Sequence, residues 1–331
     1  METALPLIFM AIMGLALLIY VLLDGYDLGI GMLFPFASSS EKETMIAAIG
    51  PFWDANETWL VLGVGVLLIA FPQAHGQILT TLYLPVTIML VGLILRGVSF
   101  DFRVKAQAQQ KRMWNRLFAL GSLIASCAQG WMLGSYVTGL QSSFVSVAFS
   151  ALIAITLPAF YIVLGAGWLL IKAEGELFEK ALVWGRRALP LMGLALLAVS
   201  VSTPLVSPTI AQRWFSLPNF IGLAPIPITT ALAFGMVYWV LTHPDSARSG
   251  FGWLVMGGAV LMGILATIGL GYSLFPYVVL DQLTVWDAAA STASLQLVLI
   301  GVALVLPFTL AYTVFVYRIF GGKATNLTYG D

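Results

Sequence analysis

Residues 7–31 read LIFMAIMGLALLIYVLLDGYDLGIG. The run from Leu7 to Leu23 is apolar throughout, close to the roughly 20 residues that a helix needs to cross a bilayer core. Asp24 and Asp27 follow at once, yet the apolar pattern continues past them. A helix of this kind cannot be paid off by a water-facing surface, so this stretch decides the fold class. No basic segment precedes it and no small-residue cleavage site follows it. It is therefore expected to be a first transmembrane helix and not a removed signal peptide.

The rest of the chain repeats that chemistry. Of 331 residues, 60% are hydrophobic and 9% charged, against about a quarter charged in a soluble domain. Net charge is zero, which implies no nucleic-acid or polyanion partner. Hydropathy places spans at 7–35, 51–71, 77–96, 116–139, 146–171, 187–204, 218–241, 251–276 and 292–319. The sixth is short and closed by Thr203-Pro204, and 97–115 reads as a charged helix extension or loop. The expectation is an all-α polytopic membrane protein of about nine helices, with residues 1–331 forming one integral membrane domain. With the N-terminus outside and the C-terminus in the cytoplasm, every Lys and Arg except Arg213 falls on the inner side, as the positive-inside rule requires.

In lipid, ionisable groups need a reason to be present. Asp24 and Asp27 close the first span, and Asp54 and Glu57 open the second within Pro51-Phe52-Trp53-Asp54-Ala55-Asn56-Glu57-Thr58-Trp59. Each pair is spaced i, i+3 and shares a helix face. Neither pair has a basic neighbour in sequence, and a desolvated carboxyl without a cation tends to hold its proton. Two readings stand side by side: a proton path or cation site entering from the inner ends of two helices, and acids that merely cap helices at the interface. Pro51 suits a helix start, and Gly25, Gly29 and Gly31 allow close helix contact. Arg96, in Arg96-Gly97-Val98-Ser99-Phe100-Asp101-Phe102-Arg103, either snorkels to lipid phosphates or joins Asp101 in pairing with a partner subunit. Thr284-Val285-Trp286-Asp287 reads as helix-start chemistry, with Trp286 an interfacial anchor. His75 and His243 fall in expected loops on opposite sides, which does not suit a bis-histidine haem. Cys127 reads as a small buried hydrophobe. No metal site and no catalytic residue is expected on the chain itself.

Four of these stretches together resemble the subunit II family of cytochrome bd quinol oxidases, its cyanide-insensitive branch included. They are Asp24-Gly25-Tyr26-Asp27-x-Gly29-x-Gly31, Trp53-Asp54-x-Asn56-x-x-Trp59, the Arg96–Arg103 segment and Thr284-Val285-Trp286-Asp287-Ala288. The resemblance spans the chain and is strongest over 20–105 and 275–320. It implies a subunit that itself binds no haem, paired with a subunit I that carries haem b, haem d and the quinol site. Quinol and dioxygen are then the substrates of the complex, which works in aerobic respiration in the bacterial cytoplasmic membrane. The resemblance also brings lipid, a small single-helix accessory subunit and, in some members, a structural quinone. By position, Asp54 matches a carboxylate of a proton path toward the haem d site, and Trp59 a tryptophan near a dioxygen channel. Asp24 and Asp27 match family aspartates, whereas Glu57 stands where some members have an amide. A reading from another class, a stand-alone cation-coupled secondary transporter, would use the same four acids as a cation site; no clear internal repeat favours it. A passive membrane scaffold would leave those acids without a task.

Overall fold

The computed structural model describes residues 3–206 and 208–324. Its helices in chain order are α1 (Ala4–Leu33), α2 (Ser39–Ile49), α3 (Trp53–Ala70), α4 (Pro72–Thr81), α5 (Tyr83–Lys105), α6 (Ala108–Val137), α7 (Phe144–Lys172) and α8 (Gly175–Val206). Then come α9 (Pro208–Phe215), α10 (Asn219–Leu223), α11 (Pro225–Thr242), α12 (Pro244–Ser246), α13 (Trp253–Leu274), α14 (Val285–Ala288) and α15 (Thr292–Ile319). A short antiparallel hairpin, β1 (Tyr277–Val279) and β2 (Leu283–Thr284), precedes α14. Among the described residues, nine helices are long and apolar enough to cross a membrane.

The expected spans hold in number and order, with shifted ends. The ninth is matched residue for residue by α15. The sixth differs most. It runs as one candidate span over Gly175–Leu205, and both Pro190 and Pro204 lie inside α8. Neighbouring helices and local adjustment tolerate proline in a membrane helix, so Pro204 does not end this one. Pro51 does not open a helix either, since α3 begins at Trp53 behind an N-cap at Phe52. The 97–115 segment is helical to Lys105 and again from Ala108. His75 lies within α4, not in a loop, whereas His243 caps the C-terminus of α11.

The middle of the molecule is α7, which packs against α1, α6, α8 and α13. Glycine permits the closest crossing. A Cβ on Gly29 of α1 would overlap the carbonyl oxygen of Tyr161 on α7, and one on Gly165 would stand 2.7 Å from the Ile30 nitrogen. Small residues at such a crossing let backbones touch without lipid between them. Gly92 and Gly121 bring α5 onto α6 in the same way, with a Cβ at Gly121 only 2.7 Å from the backbone nitrogen of Arg96. Two crossings thus hold the C-terminal parts of α1 and α5 at fixed positions.

The short α2 joins the end of α1 to the start of α3. Ser38 and Glu41 start it with a reciprocal capping box, which satisfies two of the orphan donors of the first turn. Glu41 also accepts from Lys180 at 2.7 and 2.8 Å. Glu43 receives both arms of the Arg103 fork, each at 2.9 Å. That hydrogen-bonded guanidinium holds the Glu43 carboxyl below the ordinary carboxylate range. The sign of the effect follows: the pair contributes fully above the ordinary Glu range and is lost as pH falls through the lowered native value. Since Glu43 is more than half exposed, Glu43→Gln is expected to cost about 1 kcal/mol or less at neutral pH. Thermal midpoints taken against pH check this, because wild type and variant should converge on acidification below the ordinary carboxylate range.

Candidate functional site

Three helices bring their polar residues together at one end of the bundle, where α1 and α5 finish and α3 begins. Past Leu23, α1 runs through the centre of the bundle, and Asp24, Gly25, Tyr26 and Asp27 are all buried. From α5, Arg96 reaches Asp24, its Nη1 lying 2.5 Å from Asp24 Oδ1. Arg96 is 2% exposed and Asp24 0%. The snorkelling expected for Arg96 is therefore corrected: its guanidinium turns into the protein, where the Asp24 carboxylate pairs with it and offsets part of its desolvation. Arg96 Nη2 also stands 3.7 Å from Glu57 Oε2 on α3, whose side chain is about one-third exposed. The absence of a cation near these acids in sequence is thus overturned in space.

Beside this ion pair lies a hydrogen-bonded ring. Asn56, fully buried on α3, donates through Nδ2 to Asp27 Oδ2 and to the Tyr26 hydroxyl, each at 2.8 Å. Its Oδ1 accepts from the Tyr317 hydroxyl at 3.0 Å. The hydroxyls of Tyr26 and Tyr317 lie 2.6 Å apart. On the other side of α1, Tyr161 donates to Gln129 Oε1 at 2.6 Å, and Gln129 Nε2 donates to the Tyr20 hydroxyl at 2.7 Å. Four buried atoms have no hydrogen-bond partner among the described residues: Asp24 Oδ2, Asp27 Oδ1, Arg96 Nη2 and Trp53 Nε1. Asp27, Trp53 and Arg96 border a small cavity of about 10 Å³, the room that a single water needs. The unpartnered atoms on its wall are one acceptor, Asp27 Oδ1, and two donors, Arg96 Nη2 and Trp53 Nε1.

The other expected site residues lie apart from this cluster or at its edge. Asp54 is exposed in the first turn of α3, so it is not at depth within the chain. Asp101 is exposed near the end of α5. Trp59 is completely enclosed, packed with Ala16 and Tyr20, and donates to Thr313 Oγ1 on α15 at 3.3 Å. Trp286 and Asp287 lie far along the chain in α14, where Thr284 Oγ1 accepts from the Asp287 amide at 3.2 Å. Trp286 donates its indole N–H to the Thr3 carbonyl at 3.1 Å. Cys127 is half-buried and unpaired among the described residues. Among those residues no group of three or more His, Cys, Asp or Glu is placed to hold a metal ion. Tyr317, Gln129 and Lys172 escaped sequence reading: Tyr317 and Lys172 near span ends look like interfacial anchors, and Gln129 is a lone amide inside an apolar span.

The fold and the site define a class: a polytopic, almost entirely helical membrane protein with a buried polar network between its first three spans and its last. A family profile described as "Cytochrome bd terminal oxidase subunit II" matches residues 5–320. The chain belongs to that family, and so is a subunit of a bd-type terminal oxidase, an oxidoreductase complex that includes a partner subunit I. It is 27% identical over 329 residues to "Cytochrome bd ubiquinol oxidase subunit 2" of Bacillus subtilis (strain 168), with 93% of each chain covered. Against "Cytochrome bd-I ubiquinol oxidase subunit 2" of Escherichia coli (strain K12) the identity is 26% over 364 residues, covering 96% of this chain and 95% of that one. The fold is similar to a chain of the solved bd oxidase from Geobacillus thermodenitrificans, with a TM-score of 0.75 and 18% identity over 96% of this chain and 98% of that chain. The stand-alone transporter gains no support from these relationships.

Proposed function

We infer that this subunit supports a haem-bearing subunit I in a quinol:dioxygen oxidoreductase of the bacterial cytoplasmic membrane, and that it conducts protons toward the partner's oxygen-reducing site. The observation that carries this reading is the polar cluster of Asp24, Arg96, Glu57, Asp27 and Asn56, which joins half-exposed groups at the start of α3 to enclosed ones on α1. Asp54, exposed one turn from Glu57, presents its carboxyl at the rim. A water in the small cavity would link Asp27 to Arg96 and Trp53, so a proton could pass between groups that do not touch directly. Arg96 pairs with Asp24 and orients it, and Asp27, with one oxygen bonded to Asn56, takes and releases the proton. Trp59, enclosed with Ala16 and Tyr20, forms an apolar wall suited to a path for dioxygen. The N-terminus is placed outside and the C-terminus in the cytoplasm, as the distribution of basic residues favours. Haem b and haem d belong to subunit I in this reading.

The test is Asp54→Asn in the purified two-subunit complex. Haem content and subunit ratio should be unchanged, while quinol oxidase turnover falls by about tenfold or more, the scale on which a positioned proton-transfer group contributes. Full haem content with full turnover would remove Asp54 from the path and favour a passive scaffold.

A further inference from the structure

Lys172 closes α7 and is only 1% exposed, yet no carboxylate among the described residues pairs with it. A buried ammonium without compensation is costly, so what surrounds it is informative. Its Nζ donates to the carbonyl of Phe320 and, at 2.9 Å, to that of Gly322. These carbonyls lie just past the end of α15, where a helix leaves acceptors unsatisfied and a cation is favoured. The ammonium also lies 5.1 Å from the ring centres of both Phe52 and Trp168, within cation–π range. In return, Lys323 Nζ donates to the Ala173 carbonyl at 3.2 Å, just past the end of α7. Two lysines thus clasp each other's helix ends.

The helix so held has little else in this chain to fix it. Only 11% of the most apolar window of α15 is buried, against 50% for α6 and α7. Its inner half carries Thr313, bonded to Trp59, and Tyr317, bonded to Asn56 and Tyr26. The walls of the lysine cage touch Tyr317 as well: Phe52 at 4.7 Å and Trp168 at 5.7 Å between ring centres. Trp168 further stacks on Tyr26 at 4.6 Å. We propose that Lys172 is a positioning residue, which fixes the register of α15 so that the Tyr317 hydroxyl stays on the Asn56–Asp27 network. It acts through Tyr317 and touches neither substrate nor cofactor. Its functional part rests on the proton-conducting reading above, and its structural part does not.

The experiment uses the intact two-subunit complex and two readouts. The first is amide hydrogen exchange over the peptide that contains Ile319 to Gly322. Lys172→Met, which keeps the aliphatic stem and removes the donors, should speed exchange there about tenfold or more, whereas Lys172→Arg should keep wild-type protection. The second is turnover in a double-variant cycle. If Lys172 works through Tyr317, then Lys172→Met and Tyr317→Phe lower turnover to a similar extent, and the double variant is no slower than Tyr317→Phe alone. Unchanged exchange in Lys172→Met, or losses that multiply in the double variant, would overturn the proposal. Faster exchange with wild-type turnover in both single variants would leave the clasp standing and remove Tyr317 from the proton path. Where Lys172→Met does not assemble, Lys172→Gln retains an N–H for one carbonyl and should show intermediate exchange; wild-type exchange in that variant overturns the proposal equally.

Discussion

Arg96→Leu is expected to destabilise the subunit by about 3–5 kcal/mol, because it strands the Asp24 carboxylate in the bundle without its cation. Asp24 is fully buried and Arg96 nearly so, so water cannot take over the lost contact. The yield of assembled complex and its thermal midpoint in detergent are the measurements. The double variant Arg96→Leu/Asp24→Leu separates two causes. Replacing both partners of a buried pair by apolar groups is often close to neutral, so much of the stability should return while turnover does not. A single variant within about 1 kcal/mol of wild type would mean that the guanidinium does not compensate Asp24. A double variant as unstable as the single one would point to packing and not to charge.

Gly29→Val is the second large effect. The added Cβ meets the backbone of α7 at Tyr161, and a backbone carbonyl cannot rotate away as a side chain could. Overpacking costs about 1–3 kcal/mol where side chains can give, and this crossing should lie at the upper end or beyond. Separation of α1 from α7 would also pull Asp24 and Asp27 away from α3 and α5, so turnover should fall together with stability. Gly65→Ala on α3 is the control, since nothing lies within 4 Å of a Cβ there; it should stay within about 0.5 kcal/mol of wild type. Equal thermal midpoints for Gly29→Val and wild type would show that the crossing is looser than drawn.

Much of the fold was legible because lipid imposes a one-dimensional rule: length and hydropathy mark each span. The rule fails where a span admits polar residues. In α8 the stretch from Glu176 to Arg187 looks too charged to belong to a span and Pro204 looks like an end, yet both lie in one continuous helix. The site was legible only in part. Its acids stand out from their surroundings at once, but Arg96 and Asp24 are separated by 72 positions. Which way Arg96 points from α5 is set by the Gly92–Gly121 crossing with α6, which a single sequence does not announce. The usable signal was depth: opposite charges near the ends of two spans, each too costly to leave alone. Asn56 could be read from its motif, whereas its bond to Tyr317 spans 261 positions and needs the last helix in place.

That last contact has a consequence for how the subunit is made. Among the spans, α15 is synthesised last, after α1, α3 and α7 are available to the bilayer. Until it arrives, Asn56 Oδ1 and the Tyr26 hydroxyl lack their Tyr317 partner, and the Lys172 ammonium lacks its carbonyls. An interrupted chain would therefore leave an amide, a phenol and a cation unsatisfied in an apolar setting, a marker by which quality control could tell an incomplete subunit from a finished one.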